Sequence, residues 1–490
     1  MSAFTWVDAV AGTLFIFFLW KWIRRGQRLP FPPGPPGLPL VGSLFEFPAH
    51  HPWYTFADWG EKWGGILSVN LFGQKFVIIN DPDIASDLLD KRGSIYADRP
   101  SMPMAALCGW TRSIALSRSS PKLREQRRLI GRVIGTRGTM VKFYPAADYQ
   151  ATMCLKRILD DPKRLDEVYA RRFFLMALVL HITYGYKIKE DGRDELIDLA
   201  DNAIAEFSSI VTPGAYLVDT FPWLMYVPSW MPGGGFKQAA VQYKKNSDAL
   251  ADVPFTWLQE QMAKEEGNTS YTHDLLLDQN ASEERMYDIK WSAASFYGGK
   301  TVSIIYAYFL AMCLYPEVQQ KAHDEIDMVV GKARFPSFGD RPRLLYVEAI
   351  CKELLRWHAV VPLAVPHRAL KSDIYRGYLI PEGTLVLVSI GSIHGCCSRS
   401  VLRKFLHDPE VYKDPYIFNP DRFLGPNPER DPTQFCFGYG RRVCPGAHLA
   451  DISIWITVAK ACAAFDITKD VDPEGKTVEP INELEGSTIV

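Results

Sequence analysis

The chain has 490 residues, of which 47% are hydrophobic, 23% charged and 13% aromatic, with 55 basic side chains against 56 acidic ones. That composition excludes a disordered protein, a collagen-like repeat and a disulfide-dense miniprotein, and a net charge of -1 argues against a broadly basic nucleic-acid binder. Nine cysteines (Cys108, Cys154, Cys313, Cys351, Cys396, Cys397, Cys436, Cys444 and Cys462), with no Cys-x-x-Cys pair among them, read as free thiols in a reducing, cytosol-facing compartment.

In chain order, the first feature is an apolar stretch from Phe4 to Trp20, interrupted by Thr5, Asp8, Gly12 and Thr13 and followed by Lys21, Arg24, Arg25 and Arg28. Its length is near the lower limit of the ~17–25 residues a helix needs to span hydrocarbon. Positive charge follows the apolar core instead of preceding it, the pattern of a signal anchor and not of a cleavable signal peptide. The competing reading is a buried core helix. Residues 1–28 are therefore expected to form one transmembrane helix with a basic flank, single-pass in the endoplasmic reticulum membrane, with the remainder cytosolic. The run Pro30-Phe31-Pro32-Pro33-Gly34-Pro35-Pro36-Gly37-Leu38-Pro39 cannot continue a helix, so residues 29–42 read as a stiff hinge. No repeat, low-complexity tract or second linker follows, which makes residues 43–490 a single domain.

Two alternating runs, Ile66 to Phe72 and Lys75 to Asn80, predict a hairpin around Gly73-Gln74. Helical patterns dominate from about Ser86 to Gly331, broken near Pro213 and at Pro232-Gly233-Gly234-Gly235. Tyr287 to Leu314 predicts one long apolar helix, Pro316 opens another, and Leu344 to Trp357 a third. Tyr375 to Ile390 predicts strand pairs turning at Pro381-Glu382-Gly383, and a last helix is expected from about Ala447 to Phe465. The fold class is mainly α with a small β region.

The sharpest local signal is Phe437-Gly438-Tyr439-Gly440-Arg441-Arg442-Val443-Cys444-Pro445-Gly446. Gly440 and Gly446 would let the backbone pass close to a flat bulky group, and Pro445 is suited to the first residue of a helix. Cys444 would then sit where free N–H groups and the positive helix end stabilise a thiolate. Such a lone thiolate in an apolar setting is what axial ligation of haem iron requires. The competing reading is a buried, unreactive cysteine.

This stretch resembles the haem-binding signature Phe-x-x-Gly-x-Arg-x-Cys-x-Gly of the cytochrome P450 family. The resemblance extends to Glu353-Leu354-Leu355-Arg356, similar to the family's Glu-x-x-Arg helix, and to Phe418-Asn419-Pro420-Asp421-Arg422-Phe423, similar to its Phe-x-Pro-x-Arg-Phe segment. It implies the cytochrome P450 fold, haem b bound by the Cys444 thiolate within a loop holding Phe437, Gly440 and Gly446, and a structural ion network of Glu353, Arg356 and Arg422. It also implies that Arg127, Arg368 and Arg442 meet the haem propionates. The tryptophan expected four residues before Arg127 is Leu123 here. The chain has no dinucleotide fingerprint or Walker loop of its own. The implied reaction is insertion of one oxygen atom of O₂ into a small apolar organic substrate, with electrons from a separate NADPH-cytochrome P450 reductase docking on the Cys444 side. The surroundings of Trp357-His358 and Pro366-His367-Arg368 look like those of fungal secondary-metabolism members. In such members the pocket is lined by the region Met102 to Trp110, by Phe296 and Tyr297, and by Val361 to Val365.

Three features depart from the family. The oxygen-activation pattern should hold an acid and a threonine, yet the chain has Phe296-Tyr297-Gly298-Gly299-Lys300-Thr301-Val302-Ser303, about two residues short and with Lys300 in the acid's neighbourhood. Thr301 is the candidate for the catalytic proton relay. Residues 395–406 read as an insertion, and the chain stops at Val490, before the terminal strand segment that usually borders the pocket. These departures leave open an oxygen-independent haem-thiolate isomerase or dehydratase, a catalytically impaired haem-binding relative, or an imperfect gene model.

Overall fold

The computed structural model describes residues 12–13, 29–48, 51–162, 175–189, 194–212, 214–265, 269–277, 282–298, 302–391 and 405–480. Most of the expected anchor, Gly299 to Thr301, most of the 395–406 insertion and the last ten residues lie outside the described residues.

The longer helices, numbered in chain order, are α1 (Pro52–Trp63), α2 (Pro121–Ile134), α3 (Tyr144–Asp160), α4 (Leu175–Tyr184), α5 (Glu195–Val211), α6 (Phe236–Ala263), α7 (Glu283–Ala294), α8 (Val302–Leu314), α9 (Pro316–Val329), α10 (Leu345–Trp357) and α11 (Ala447–Ala464). Their starts follow local chemistry. Ser120 accepts from the Leu123 amide and Ser282 from the Arg285 amide, while Pro121 and Pro316 occupy first turns where their missing N–H costs nothing. The start of α10 is capped from outside: Glu325 of α9 accepts from the Tyr346 and Val347 amides at 2.7 and 3.1 Å. Among the described residues, α11 is long and apolar enough to cross a membrane, but 67% of it is buried inside the protein. It is a core helix, apolar all round because protein surrounds it.

The strands are β1 (Ile66–Leu71), β2 (Gln74–Ile79), β3 (His367–Arg368), β4 (Asp373–Tyr375), β5 (Tyr378–Ile380) and β6 (Leu385–Val388). They form a four-stranded sheet in the order β1-β2-β6-β3 and a separate β4-β5 hairpin. The expected first hairpin is present, but Phe72 and Gly73 supply the turn, with φ of 48° and 86°. The expected pairing across Pro381-Glu382-Gly383 is not formed. β5 pairs backward with β4 around Arg376 and Gly377 (φ 49° and 82°), and β6 crosses to run parallel to β2. The proline-rich run is bound along β1: the Ser68 amide and hydroxyl donate to the Pro33 and Pro32 carbonyls at 2.7 and 2.5 Å.

The single long helix expected from Tyr287 to Leu314 is replaced by α7, a 3₁₀ stretch Ser295–Gly298, and α8. Ser295 contributes to the change. Its hydroxyl donates to the Trp291 carbonyl at 2.7 Å and accepts from the Ile114 amide at 3.1 Å, so a side chain takes bonds at the helix end. Gly298, at the end of the 3₁₀ stretch, favours the break further.

Candidate functional site: the Cys444 loop and its supports

The loop lies between the short helix Thr433–Cys436 and α11. Gly438 and Gly440 take φ of 77° and 51°, and the Cys444 amide donates to the Phe437 carbonyl at 2.8 Å, folding the loop on itself. Phe437 packs half-buried against the main core. Gly440 does not face open space for a flat group. It abuts the π-helical turn Ser86–Lys91, where a Cβ would collide with the Leu89 carbonyl oxygen. At Gly446 a Cβ would stand 3.8 Å from Cys444 Sγ, an ordinary contact, so its amide matters more than its missing side chain. Pro445 is not the first helical residue: α11 begins at Ala447, with Gly446 as its cap.

Cys444 is the one exposed thiol among the described cysteines, yet it lies deep enough for desolvation to push its pKa up. The Gly446 N–H and the Arg127 charge oppose that push and favour the thiolate. Cys462, also near the C-terminus, is fully committed to the core: its sulfur lies 3.2 Å from the Tyr308 hydroxyl.

Cations converge on this loop. Arg442 is buried and donates to the carbonyls of Ala97 (2.6 Å), Ser117 (2.8 Å) and Ile114 (3.4 Å). Arg127 reaches the Val443 carbonyl at 2.7 Å. Arg99 is buried beside them, bonded to the carbonyls of Ala115 (3.0 Å), Val365 (2.6 Å) and Pro366 (2.8 Å). Burial, then the charges of Arg442 and Arg127, push Arg99 down to about 9; burial, then Arg127, pushes Arg442 down to about 10. His367 is held well below its usual range by burial and by Arg99. Asp98 offsets this crowding only in part, because it also holds Arg118 (3.0 Å), the Ser119 amide (2.7 Å) and Arg368 (3.6 Å). Arg368 is thus brought to the same corner but spoken for. Neutral carbonyls satisfy the geometry of Arg99 and Arg442 without cancelling their charge, so the site is short of anions. A group with an axial position for sulfur and two carboxylates for the guanidiniums, as haem b has, fits this donor set.

Glu353, Arg356 and Arg422 are brought together in one buried cluster. Glu353 and Arg356 are both fully buried and paired bidentately at 2.7 and 2.8 Å. Glu353 also accepts from the Asn419 amide (2.8 Å) and from Arg422 Nε (3.2 Å). Arg356 donates to the carbonyls of Leu406 (2.8 Å) and Pro415 (2.7 Å), and Arg422 to that of Lys413 (2.7 Å). A fourth member, Glu429, binds Arg422 Nη1 at 2.7 Å and leaves two acids against two bases. Neither Arg99 nor Glu429 stands out in the sequence. Arg99 sits in Asp98-Arg99-Pro100 and Glu429 in a polar loop, and only tertiary placement distinguishes either from a solvated charge.

Phe296 and Tyr297 are buried in the core that also contains Met104, Trp110 and Ile114, with Met102 and Val365 packed against it. Leu123 is buried in the same core. Thr301 lies outside the described residues.

A family model described as Cytochrome P450 matches residues 32–486. The chain belongs to the cytochrome P450 family. It is 44% identical to cytochrome P450 monooxygenase 208 of Postia placenta, over 95% of this chain and 89% of that protein. It is 38% identical to cytochrome P450 monooxygenase claR of Ampulloclitocybe clavipes, over 99% and 88% respectively. It is 35% identical to the O-methylsterigmatocystin oxidoreductase of Aspergillus flavus, over 91% and 83%. This P450 is accordingly an oxidoreductase of the monooxygenase type, whose family binds haem through a cysteine thiolate and uses O₂ with a redox partner.

Proposed function

We propose that this P450 holds haem b through the Cys444 thiolate, with Arg99, Arg127 and Arg442 at the propionates, and oxidises an apolar product of fungal secondary metabolism. The observation that carries the reading is an accessible thiol beside three arginines that repel one another without enough acid between them. When bound, the haem supplies the one-electron and O₂ chemistry, and thiolate ligation favours O–O cleavage. The chain's residues do the rest. The Gly446 N–H and Arg127 stabilise charge at Cys444 Sγ. The network of Glu353, Arg356, Arg422 and Glu429 keeps the supporting loops rigid, with Arg368 acting through Asp98. Phe296 and Tyr297 keep the opposite wall dry. Thr301 is the remaining candidate for proton delivery.

Electrons are assigned to a separate NADPH-dependent reductase. Lys122, Arg124, Arg128 and Arg132 are exposed along α2, which touches the Cys444 loop through Arg127 and Val443, a face suited to an acidic partner. A terpenoid, polyketide or aromatic substrate is our reading, and the one compound that the names of these relatives print is O-methylsterigmatocystin. Residues 1–28 as an anchor, 29–42 as a connector and 43–490 as the catalytic domain remain our division. An apolar surface supports placement on the cytosolic side of the endoplasmic reticulum membrane. Leu40, Phe72, Trp223, Tyr226 and Trp230 are exposed, Phe72 stacks edge-on to Phe221 at 4.9 Å, and this surface adjoins the segment leading from the N-terminus.

The 3₁₀ stretch at Ser295–Gly298 favours a second reading, a P450 that works without the usual proton relay or works poorly. Reconstitution with a reductase, measuring NADPH oxidised, product formed and peroxide released, separates the two. Tight coupling supports the monooxygenase. NADPH loss appearing almost entirely as peroxide supports the impaired relative, and turnover of an organic peroxide without NADPH supports the isomerase.

A further inference from the structure

A layer of hydroxyls from α4, α7 and the short helix Tyr271–Leu276 packs beside the 3₁₀ stretch Ser295–Gly298. The Tyr184 ring stacks on Tyr297 with centroids 6.5 Å apart, and Tyr271 is tilted against Phe296 at 4.9 Å. Thr183, Tyr184, Tyr271, Thr272 and Ser292 are all 0% exposed. Tyr271 and Ser292 share a hydrogen bond at 2.6 Å, and Ser292 donates onward to the Ile289 carbonyl at 2.8 Å. Tyr271 is therefore the donor, and its own oxygen keeps its capacity to accept. The other three hydroxyls, Thr183 Oγ1, Tyr184 Oη and Thr272 Oγ1, have no hydrogen-bond partner among the described residues. Comparable groups elsewhere do. Tyr96, Tyr308 and Tyr412 are as deeply buried and bond Asp373, Cys462 and the Arg430 carbonyl. Thr152 and Thr457 bond the carbonyl four residues back on their helices, at 2.9 and 2.8 Å. Thr183, in the last turn of α4, forgoes that bond.

A fully buried hydroxyl with nothing to bond is costly, so three in one layer point to a partner that is neither side chain nor backbone. Hydroxyls offer a charged guest no counter-ion, and the nearby Asp252 carboxylate is already held by Lys290 at 2.6 Å. The partner is therefore small, neutral and able both to donate and to accept. We infer that ordered water occupies this layer, bridging Tyr184 Oη to Tyr271 Oη and to the hydroxyls of Thr183 and Thr272. Buried waters make about three such bonds each. Through Ser292, the water ties α4 and the Tyr271–Leu276 helix to the end of α7, where the expected long helix breaks.

The test is a crystal structure of the haem-loaded, full-length protein at a resolution that shows water, compared with the near-isosteric variants Tyr184→Phe and Thr183→Val. The parent should show solvent density within hydrogen-bonding distance of Tyr184 Oη, and Tyr184→Phe should lose that peak. Thermal unfolding reads the same point in solution. In a hydrated layer each substitution strips a hydrogen bond from water and should lower the melting temperature by roughly 1 °C in a chain of this length. In a dry layer each substitution removes an unpaired buried hydroxyl and should raise it. No density at Tyr184 Oη in the parent, a peak that persists in Tyr184→Phe, or a higher melting temperature in either variant would overturn the inference. A missing thiolate Soret band would instead count against Cys444 and leave this layer untouched.

Discussion

The Cys444 loop and the segment around Gly298 both pack against the same core, and the chain treats them differently. On the first side the charges of the supporting network are held several times over: Glu353 by two arginines and an amide, Arg422 by Glu353, Glu429 and a carbonyl. On the second, a helix gives way to 3₁₀ geometry at Ser295 and the next described helix starts only at Val302. The Glu353 network is over-determined by its hydrogen bonds, whereas the helix end at Ser295 is held by two, to Trp291 and Ile114.

The largest expected effect breaks the first side. Arg356→Ala leaves Glu353 in a fully buried position with its bidentate partner gone and should cost about 3–5 kcal/mol. Denaturant unfolding, or failure to accumulate as soluble protein, reads this out. A loss no larger than that of a surface arginine such as Arg124 would mean the network is ornamental.

Two glycines sharpen the contrast. Gly440→Ala adds a Cβ at φ 51° against the Leu89 carbonyl and should cost roughly 2 kcal/mol, with poorer haem retention. At Gly298 nothing lies within 4 Å of a Cβ, so Gly298→Ala should be neutral or stabilise by up to about 1 kcal/mol. Similar melting shifts in both variants would erase the distinction between the two sides.

A third test compares buried acids. Unlike Glu353, the half-buried Asp219 meets no arginine among the described residues and accepts from the Met104 amide at 2.9 Å, which ties the short helix Leu217–Thr220 to Pro103–Leu107. Burial pushes its pKa up from 3.8 to about 6, with the amide opposing. The folded state then binds more protons than the unfolded chain between about pH 4 and 6, so stability falls as pH rises through that window. Asp219→Asn keeps an acceptor for Met104 and should raise stability at pH 7.5 by roughly 1 kcal/mol, after allowing for partial exposure, and by nearly nothing at pH 4. A pH-independent difference in melting temperature would remove Asp219 from the argument. Smallest is Ser295→Ala, which should cost about 1 kcal/mol or less by freeing the Ile114 amide.

Much of the first side was legible because its signals are local. Cys444, its glycines, and Glu353 three residues from Arg356 are fixed by spacing on one loop and one helix. Arg99 and Glu429 were not, since a lone charge becomes part of a site only when distant elements close around it. The role of Gly440 was misread for the same reason: its crowding partner, Leu89, is some 350 residues earlier. β6 pairs with β2 across about 300 residues, and adjacency in sequence suggested a hairpin with β5 instead. In the long apolar run, uniform hydrophobicity concealed the break, because periodicity vanishes where both sides of a helix are buried.

The most direct test of the central claim is the reduced, carbon-monoxide difference spectrum of the purified full-length protein. The account predicts a Soret band at the long-wavelength position of thiolate ligation, lost in Cys444→Ser and retained in Cys462→Ser. A band only at the shorter wavelength, no haem uptake, or a band that disappears with Cys462 instead would contradict it.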